Sequence, residues 1–241
     1  MAEECALCQG RGLVFKDNYA MPCRCAKEKM LENLYRQSCV PPAVRNFTFN
    51  SFDFKYYPKT KTDPDKRFNY LESARLTYNA AMDFVKNFPE KNGTISGLVF
   101  TGQVGSGKTF LACCIANALL ERGHPVLFAV VPDMLDRIRA TYDAGKQMGY
   151  SEQEVMDAAR TIPLLILDDL GAHNYTDWTR NKLYSIINYR LNYCLPTVIT
   201  TNINLENLEA HLGERTTSRI FQMCRPYRLL VDVDIRMLQG Q

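Results

Sequence analysis

Gly102-Gln-Val-Gly105-Ser106-Gly107-Lys108-Thr109 matches the pattern G-x-x-x-x-G-K-[ST] without deviation. Its chemistry is phosphate binding. Glycines let successive backbone N–H groups turn toward one anion, and a following helix adds the positive end of its dipole. Lys108 would reach the β- and γ-phosphates, and the Thr109 hydroxyl would ligate Mg2+. The plainer alternative is a glycine turn at a helix start. Leu164-Leu-Ile-Leu-Asp168-Asp169 ends an apolar run in two carboxylates, about 60 residues after the lysine. Beside a phosphate loop, Asp168 would hold Mg2+, directly or through water, and Asp169 would polarise an attacking water. Alone, such a pair is a cap or a turn. Thr200-Thr201-Asn202 ends another apolar run. There Asn202 orients the lytic water, touches the γ-phosphate, or is only a turn asparagine.

Cysteines mark a second chemistry. Cys5-x-x-Cys8 is followed after fourteen residues by Cys23-x-Cys25, and all three histidines lie elsewhere. Four thiolates in so short a span suit tetrahedral Zn2+, and Gly10 and Gly12 let the chain bend after the first pair. A segment this small builds little core, so bound metal would supply folding energy. Reduced structural thiols and an iron–sulfur cluster are the alternatives. Cys39 is a possible substitute ligand, while Cys113 and Cys114 read as core packing.

The elements that must carry these groups alternate in type. Ala26 to Gln37 is a short charged helix. Pro41-Pro42 opens a connector containing Phe47, Phe49, Phe52 and Phe54, and KYYPKTKTDPDKRF reads as an exposed loop. Helical spacing runs from Leu71 to Phe88, Lys108 to Arg122, Asp133 to Tyr142 and Ser151 to Arg160, and from a Thr176 cap to about Tyr193. Short apolar strands are expected at Gly97–Thr101, Val126–Val131, Leu164–Leu167, Thr197–Thr201 and Arg228–Val233. Such alternation predicts an α/β fold, a five-stranded parallel sheet covered by helices on both faces, with a small N-terminal cysteine module. The expected division is 1–40 for the module, 41–70 for the connector and 71–241 for the nucleotide-binding domain.

Composition narrows the class. With 241 residues, 46% apolar and 23% charged, the chain is an ordinary globular one with room for one sizeable domain and a small module. No apolar run reaches the length of a membrane span, and MAEECALCQG lacks the apolar core of a signal peptide. A cytoplasmic location is expected. Nine cysteines, an odd number, argue against a disulfide framework there. A net charge of +3 permits a nucleic-acid partner without requiring one. Lys55, Tyr56, Tyr57, Lys59, Lys61, Lys66, Arg67 and Phe68 interleave charge with aromatics, which suits single-stranded DNA or simply a solvated linker.

GQVGSGKT, LLILDDLG, TTN, GERTTSRI, the terminal DIR and the run PPAVRNFTFNSF together resemble an AAA+ ATPase of the bacterial helicase-loader group, DnaC/DnaI-type and close to the IstB-like transposition ATPases. The resemblance spans about Phe47 to Arg236. It implies that Gly102, Gly105, Ser106, Gly107, Lys108 and Thr109 are the Walker A loop and Asp168 and Asp169 the Walker B acids. Asn202 falls on the sensor-one position and Arg236 on the sensor-two arginine. Arg219 falls on the arginine finger, which acts in trans on a neighbouring subunit's γ-phosphate; read from the residues alone, Arg215 and Arg219 are otherwise a solvated basic helix face. It also implies that Arg137, Arg139, Tyr142 and Lys146 lie on a segment facing single-stranded DNA. Two departures stand out. Asp169 replaces the usual Glu and is one methylene shorter, which predicts slow hydrolysis. The chain ends soon after Arg236, which leaves no room for a full helical lid.

The expected function is therefore ATP-dependent loading of a replicative DnaB-type helicase onto single-stranded DNA at replication initiation. ATP, Mg2+ and Zn2+ are the expected cofactors, self-assembly on ATP and DNA is expected, and no membrane is involved. The alternatives are an IstB-like transposition helper ATPase and a nucleotide-switched adaptor with negligible turnover.

Overall fold

The computed structural model describes residues 5–16, 19–64, 68–88, 97–143, 151–172 and 175–239. An antiparallel hairpin of β1 (Leu13–Lys16) and β2 (Tyr19–Pro22) leads through Cys23, the N-cap, into α1 (Arg24–Ser38). Helix α2 (Tyr70–Asn87) starts at an Asn69–Glu72 capping box, in which each side chain accepts the other's backbone N–H. Then β3 (Gly97–Thr101), α3 (Lys108–Glu121), β4 (Val126–Val130), α4 (Val131–Asp143), α5 (Glu152–Thr161) and β5 (Leu164–Asp168) alternate. The chain continues through α6 (Asp177–Asn192), β6 (Thr197–Thr201), α7 (Leu208–Leu212), α8 (Glu214–Met223), β7 (Cys224–Arg228) and α9 (Ile235–Gln239). No described helix is long and apolar enough to cross a membrane.

The main sheet is parallel throughout, in the order β4-β5-β6-β3-β7. Every residue of β3, β5 and β6 is buried, as strands covered on both faces require. Side-chain alternation along these strands makes two cores. Leu98, Phe100, Leu164, Ile166 and Val198 pack with α2 and α3, whereas Val99, Leu165, Leu167 and Ile199 pack with α4, α5, α6 and α8. Cys113 and Cys114 lie in the buried stretch of α3.

Arg190 ties the second layer together. It is fully buried, and its guanidinium donates to the carbonyls of Ala159, Arg160, Ile162 and Pro196 and to Thr197 Oγ1. Burial pulls its pKa down to about 9.

Two expectations need correction. The last strand is Cys224–Arg228, not Arg228–Val233. It is an edge strand, where Pro226 forgoes a ladder donor at little cost, so its unpromising composition did not prevent pairing. The apolar Leu229–Val231 that follows is buried against the phosphate loop instead, with Leu229 N donating to Thr101 O at 2.8 Å. The loop KYYPKTKTDPDKRF, expected to be exposed, is also not wholly so, because its Tyr57 joins the aromatic rings ahead of it in packing on the domain. Phe47 stacks on Phe110 with centroids 4.6 Å apart, Phe52 stacks on Tyr57 at 5.5 Å, and Tyr57 is only 3% exposed. Aromatic rings without helical spacing here cover the outer side of α3 rather than face solvent.

Candidate nucleotide-binding site

The phosphate loop leaves the end of β3 and enters α3. Gly102 has φ +139°, and a Cβ there would stand 1.8 Å from Leu229 O, so the position admits only glycine. Gly107 caps α3 at φ +92°, where a Cβ would meet Tyr57 Oη at 2.7 Å. The loop is thus held from two sides. On one, Tyr57 Oη donates to Ser106 O at 2.8 Å. On the other, Ile235 N donates to Gly105 O at 3.1 Å and Val231 N donates to the Gln103 side chain at 3.2 Å.

Lys108 points inward. Its Nζ donates to Gly102 O at 2.8 Å and Gln103 O at 2.6 Å. Desolvation lowers its pKa to about 8 against the opposing pull of Asp169 and Asp168. One residue on, Thr109 Oγ1 donates to Asp168 Oδ1 at 2.9 Å. Asp168 is 6% exposed, and burial raises its pKa despite the hydroxyls of Thr200 and Thr109 that favour its charge. Asp169 follows in the left-handed region, φ +60°, and its Oδ1 accepts from Asn202 Nδ2 at 2.7 Å.

These groups surround one cavity of about 590 Å³. Gly105, Ser106, Gly107, Lys108, Thr109, Asp168, Asp169, Asn202 and Arg236 line it, with Phe47, Phe52, Tyr56 and Phe110 as an aromatic wall. Arg236 is paired with Asp234 through two contacts of 3.0 Å. Arg219 is elsewhere: it lies over the Tyr184 ring at 5.4 Å and donates to Tyr184 Oη at 3.3 Å. The oxygen donors of Thr109 and Asp168, side by side at the mouth of the phosphate loop, fit a hard divalent cation such as Mg2+.

The cysteines converge as well. The sulfurs of Cys5, Cys8, Cys23 and Cys25 all lie within 4.8 Å of one another, with Cys5–Cys23 at 3.8 Å and Cys8–Cys25 at 3.4 Å. Tetrahedral Zn2+ with bonds of about 2.3 Å sets sulfurs about 3.8 Å apart, so the cluster fits the ion. The Cys8 backbone N–H, the largest influence, pulls the Cys5 thiol down to about 7, while the Cys8 sulfur pushes the Cys25 thiol up to about 12. Cys39 is exposed and outside the cluster.

The sequence reading missed three contributors. Tyr57 carried no local signal, being one aromatic among many. Thr200 was visible only as the start of TTN; its Oγ1 donates to Asp168 Oδ1 at 2.6 Å. Asp234 was passed over beside Arg236. The suggested single-strand contacts are altered too: Tyr57 is buried, Lys55 pairs with Asp53 and Lys61 with Asp232. Lys66, Arg67, Lys146 and the Tyr142 side chain lie outside the described residues.

Among the proteins and solved structures similar to this chain are two curated proteins and one crystal structure. YqaM of Bacillus subtilis (strain 168) is 28% identical over 228 residues, 91% of this chain and 66% of that protein. The protein named replicative helicase loader DnaC, of Escherichia coli (strain K12), is 26% identical over 190 residues, 79% of this chain and 69% of that protein. The crystal structure titled as the DnaC helicase loader superposes with a TM-score of 0.62 at 27% identity, covering 80% of this chain and all of that one. The chain spans about two thirds of the length of these curated relatives. The fold is thus the AAA+ α/β fold. A family model described as IstB-like ATP binding protein matches residues 25–222, and the chain belongs to that family.

Proposed function

We propose that the chain is an ATP-dependent loader that brings a replicative DnaB-type helicase onto single-stranded DNA. The observation that carries this is the convergence of Lys108, Thr109, Asp168, Asp169 and Asn202 on one cavity, in a chain similar to DnaC along four fifths of its length. Loop N–H groups and Lys108 would bind the β- and γ-phosphates, and the aromatic wall would cover the base. Thr109 and Asp168 would hold Mg2+, which neutralises phosphate charge when bound. Asp169 would polarise the attacking water, oriented by Asn202. Arg236 would exchange Asp234 for phosphate. Arg219 lies outside this cavity, which supports its acting on a neighbouring subunit's γ-phosphate in an assembly formed on ATP and DNA. Residues 1–40 would be a Zn2+ module docking on the helicase, with Cys5, Cys8, Cys23 and Cys25 as ligands, 41–70 a connector and 71–241 the ATPase domain. Arg137 and Arg139, on α4, would meet the DNA.

One observation favours a second reading, a nucleotide-switched adaptor with little turnover. Asp169 is a short acid already engaged by Asn202. Two measurements separate the readings. Co-purification with a hexameric helicase and single-strand-stimulated hydrolysis are expected of the loader. Capture of a transposase instead of a helicase, or hydrolysis at background with and without DNA, would reject it.

A further inference from the structure

We propose that Thr200 is the positioning residue of the two acids at the end of β5, orienting Asp168 and Asp169 through a single hydroxyl. The inference rests on the nucleotide-site reading above. Thr200 is 1% exposed and sits on β6, the strand hydrogen-bonded beside β5. Its Oγ1 donates to Asp168 Oδ1 at 2.6 Å and accepts from Asp169 N at 2.9 Å. A hydroxyl has one proton. Giving it to the carboxylate leaves its lone pairs for the Asp169 N–H, so the directions of both bonds are set.

Each bond answers a local need. Asp168 is buried, and a buried carboxylate requires partners. Thr109 also donates to Oδ1, but that hydroxyl is the one a cation would take. Thr200 is therefore the donor that stays with Asp168 whether or not a cation is bound. Asp169 adopts φ +60°, the left-handed region that few non-glycine residues occupy. Anchoring its N–H on Thr200, with Leu170 N on Thr200 O at 2.9 Å, holds the backbone in that turn and aims the carboxylate at Asn202. Losing the hydroxyl would free one acid to rotate and let the other's backbone relax.

The test compares Thr200→Val, which keeps shape but not the hydroxyl, with Thr200→Ser, which keeps the hydroxyl. Thermal midpoints establish folding, and Thr200→Cys, a weak donor of similar volume, replaces the valine variant if that one unfolds. Binding of the non-hydrolysable analogue AMPPCP is measured by calorimetry in EDTA and across a Mg2+ titration, and hydrolysis is measured with ATP. Thr200→Val is expected to bind within about twofold of wild type in EDTA. It should need about tenfold more Mg2+ for its half-maximal gain in affinity, and lose kcat more than KM, a difference of about 1.4 kcal/mol. Thr200→Ser should recover both. A wild-type Mg2+ requirement in Thr200→Val, or equal defects in the serine and valine variants, overturns the inference and leaves the nucleotide site standing. Wild-type protein whose AMPPCP affinity ignores Mg2+ overturns both.

Discussion

The hydroxyl of Thr109 donates to Asp168 Oδ1 at 2.9 Å, joining the first turn of α3 to the last residue of β5 across 59 positions of sequence. That bond sets the two halves of the candidate nucleotide site in register. Asp168→Asn and Thr109→Val are expected to keep metal-free nucleotide binding within a few fold and to lose most of the gain that Mg2+ brings. Calorimetry with and without EDTA checks this. Lys108→Ala should instead abolish binding under both conditions.

Lys108 supplies a pH dependence. Its pKa stands at about 8 in the ligand-free protein, below the ordinary 10.5, because burial penalises its charge. Phosphate prefers the charged form. Nucleotide affinity should therefore be steady below pH 8 and decline as pH rises above it. Stability of the ligand-free protein changes in the opposite sense. Between pH 8 and 10.5 the unfolded chain binds the extra proton, so this group's contribution to stability rises with pH. Thermal midpoints across that range, in wild type and Lys108→Met, show whether the slope belongs to this lysine.

Tyr57 links the connector to the phosphate loop through one hydrogen bond. Tyr57→Phe should cost about 1 kcal/mol, or roughly 2–4 °C in midpoint, because Ser106 O loses a buried donor. Tyr57→Ala should cost about 3–5 kcal/mol, since the ring's packing against Phe52 goes too. A Tyr57→Phe variant as stable as wild type would show that the hydroxyl contributes nothing, and equal losses in the two variants would show that the ring contributes nothing.

The cysteine cluster predicts about one Zn2+ per chain by elemental analysis. Cys8→Ser should remove it, and chelation should raise hydrogen exchange in β1, β2 and the start of α1 while leaving β3, β5 and β6 protected. Exchange spread evenly over the chain would contradict a locally folded metal module.

Arg219→Ala should spare nucleotide binding and lower DNA-stimulated hydrolysis at least tenfold. Mixing it with Lys108→Ala protein should recover part of the activity, because one variant keeps the loop and the other the finger. Recovery absent at every ratio would reject action between subunits.

Much of this was legible in the residues, and the boundary is physical. GQVGSGKT, the LLILDD strand end and CxxC with CxC are local patterns whose chemistry depends on near neighbours, and the structure brings the members of each group together. The parallel strands declared themselves as short apolar runs because both faces are covered. Edge strand β7 did not, since CRPYR carries charge and proline that only an edge permits. Tyr57 and Thr200 were hidden for another reason. Each acts on a partner tens of residues away, and nothing in the neighbouring sequence records that distance.

The segment Leu229–Ile235 forms a wall of the phosphate loop, touching Gly102, Gln103 and Gly105 more than 120 residues after they are made. During synthesis, then, the complete GQVGSGKT sequence emerges long before the backbone that braces it. A nascent chain lacking this segment should be blind to nucleotide, and a fragment cut before Leu229 should be too, though it keeps the whole motif. ATP responsiveness would begin only once Leu229–Ile235 has been made and has folded against the loop.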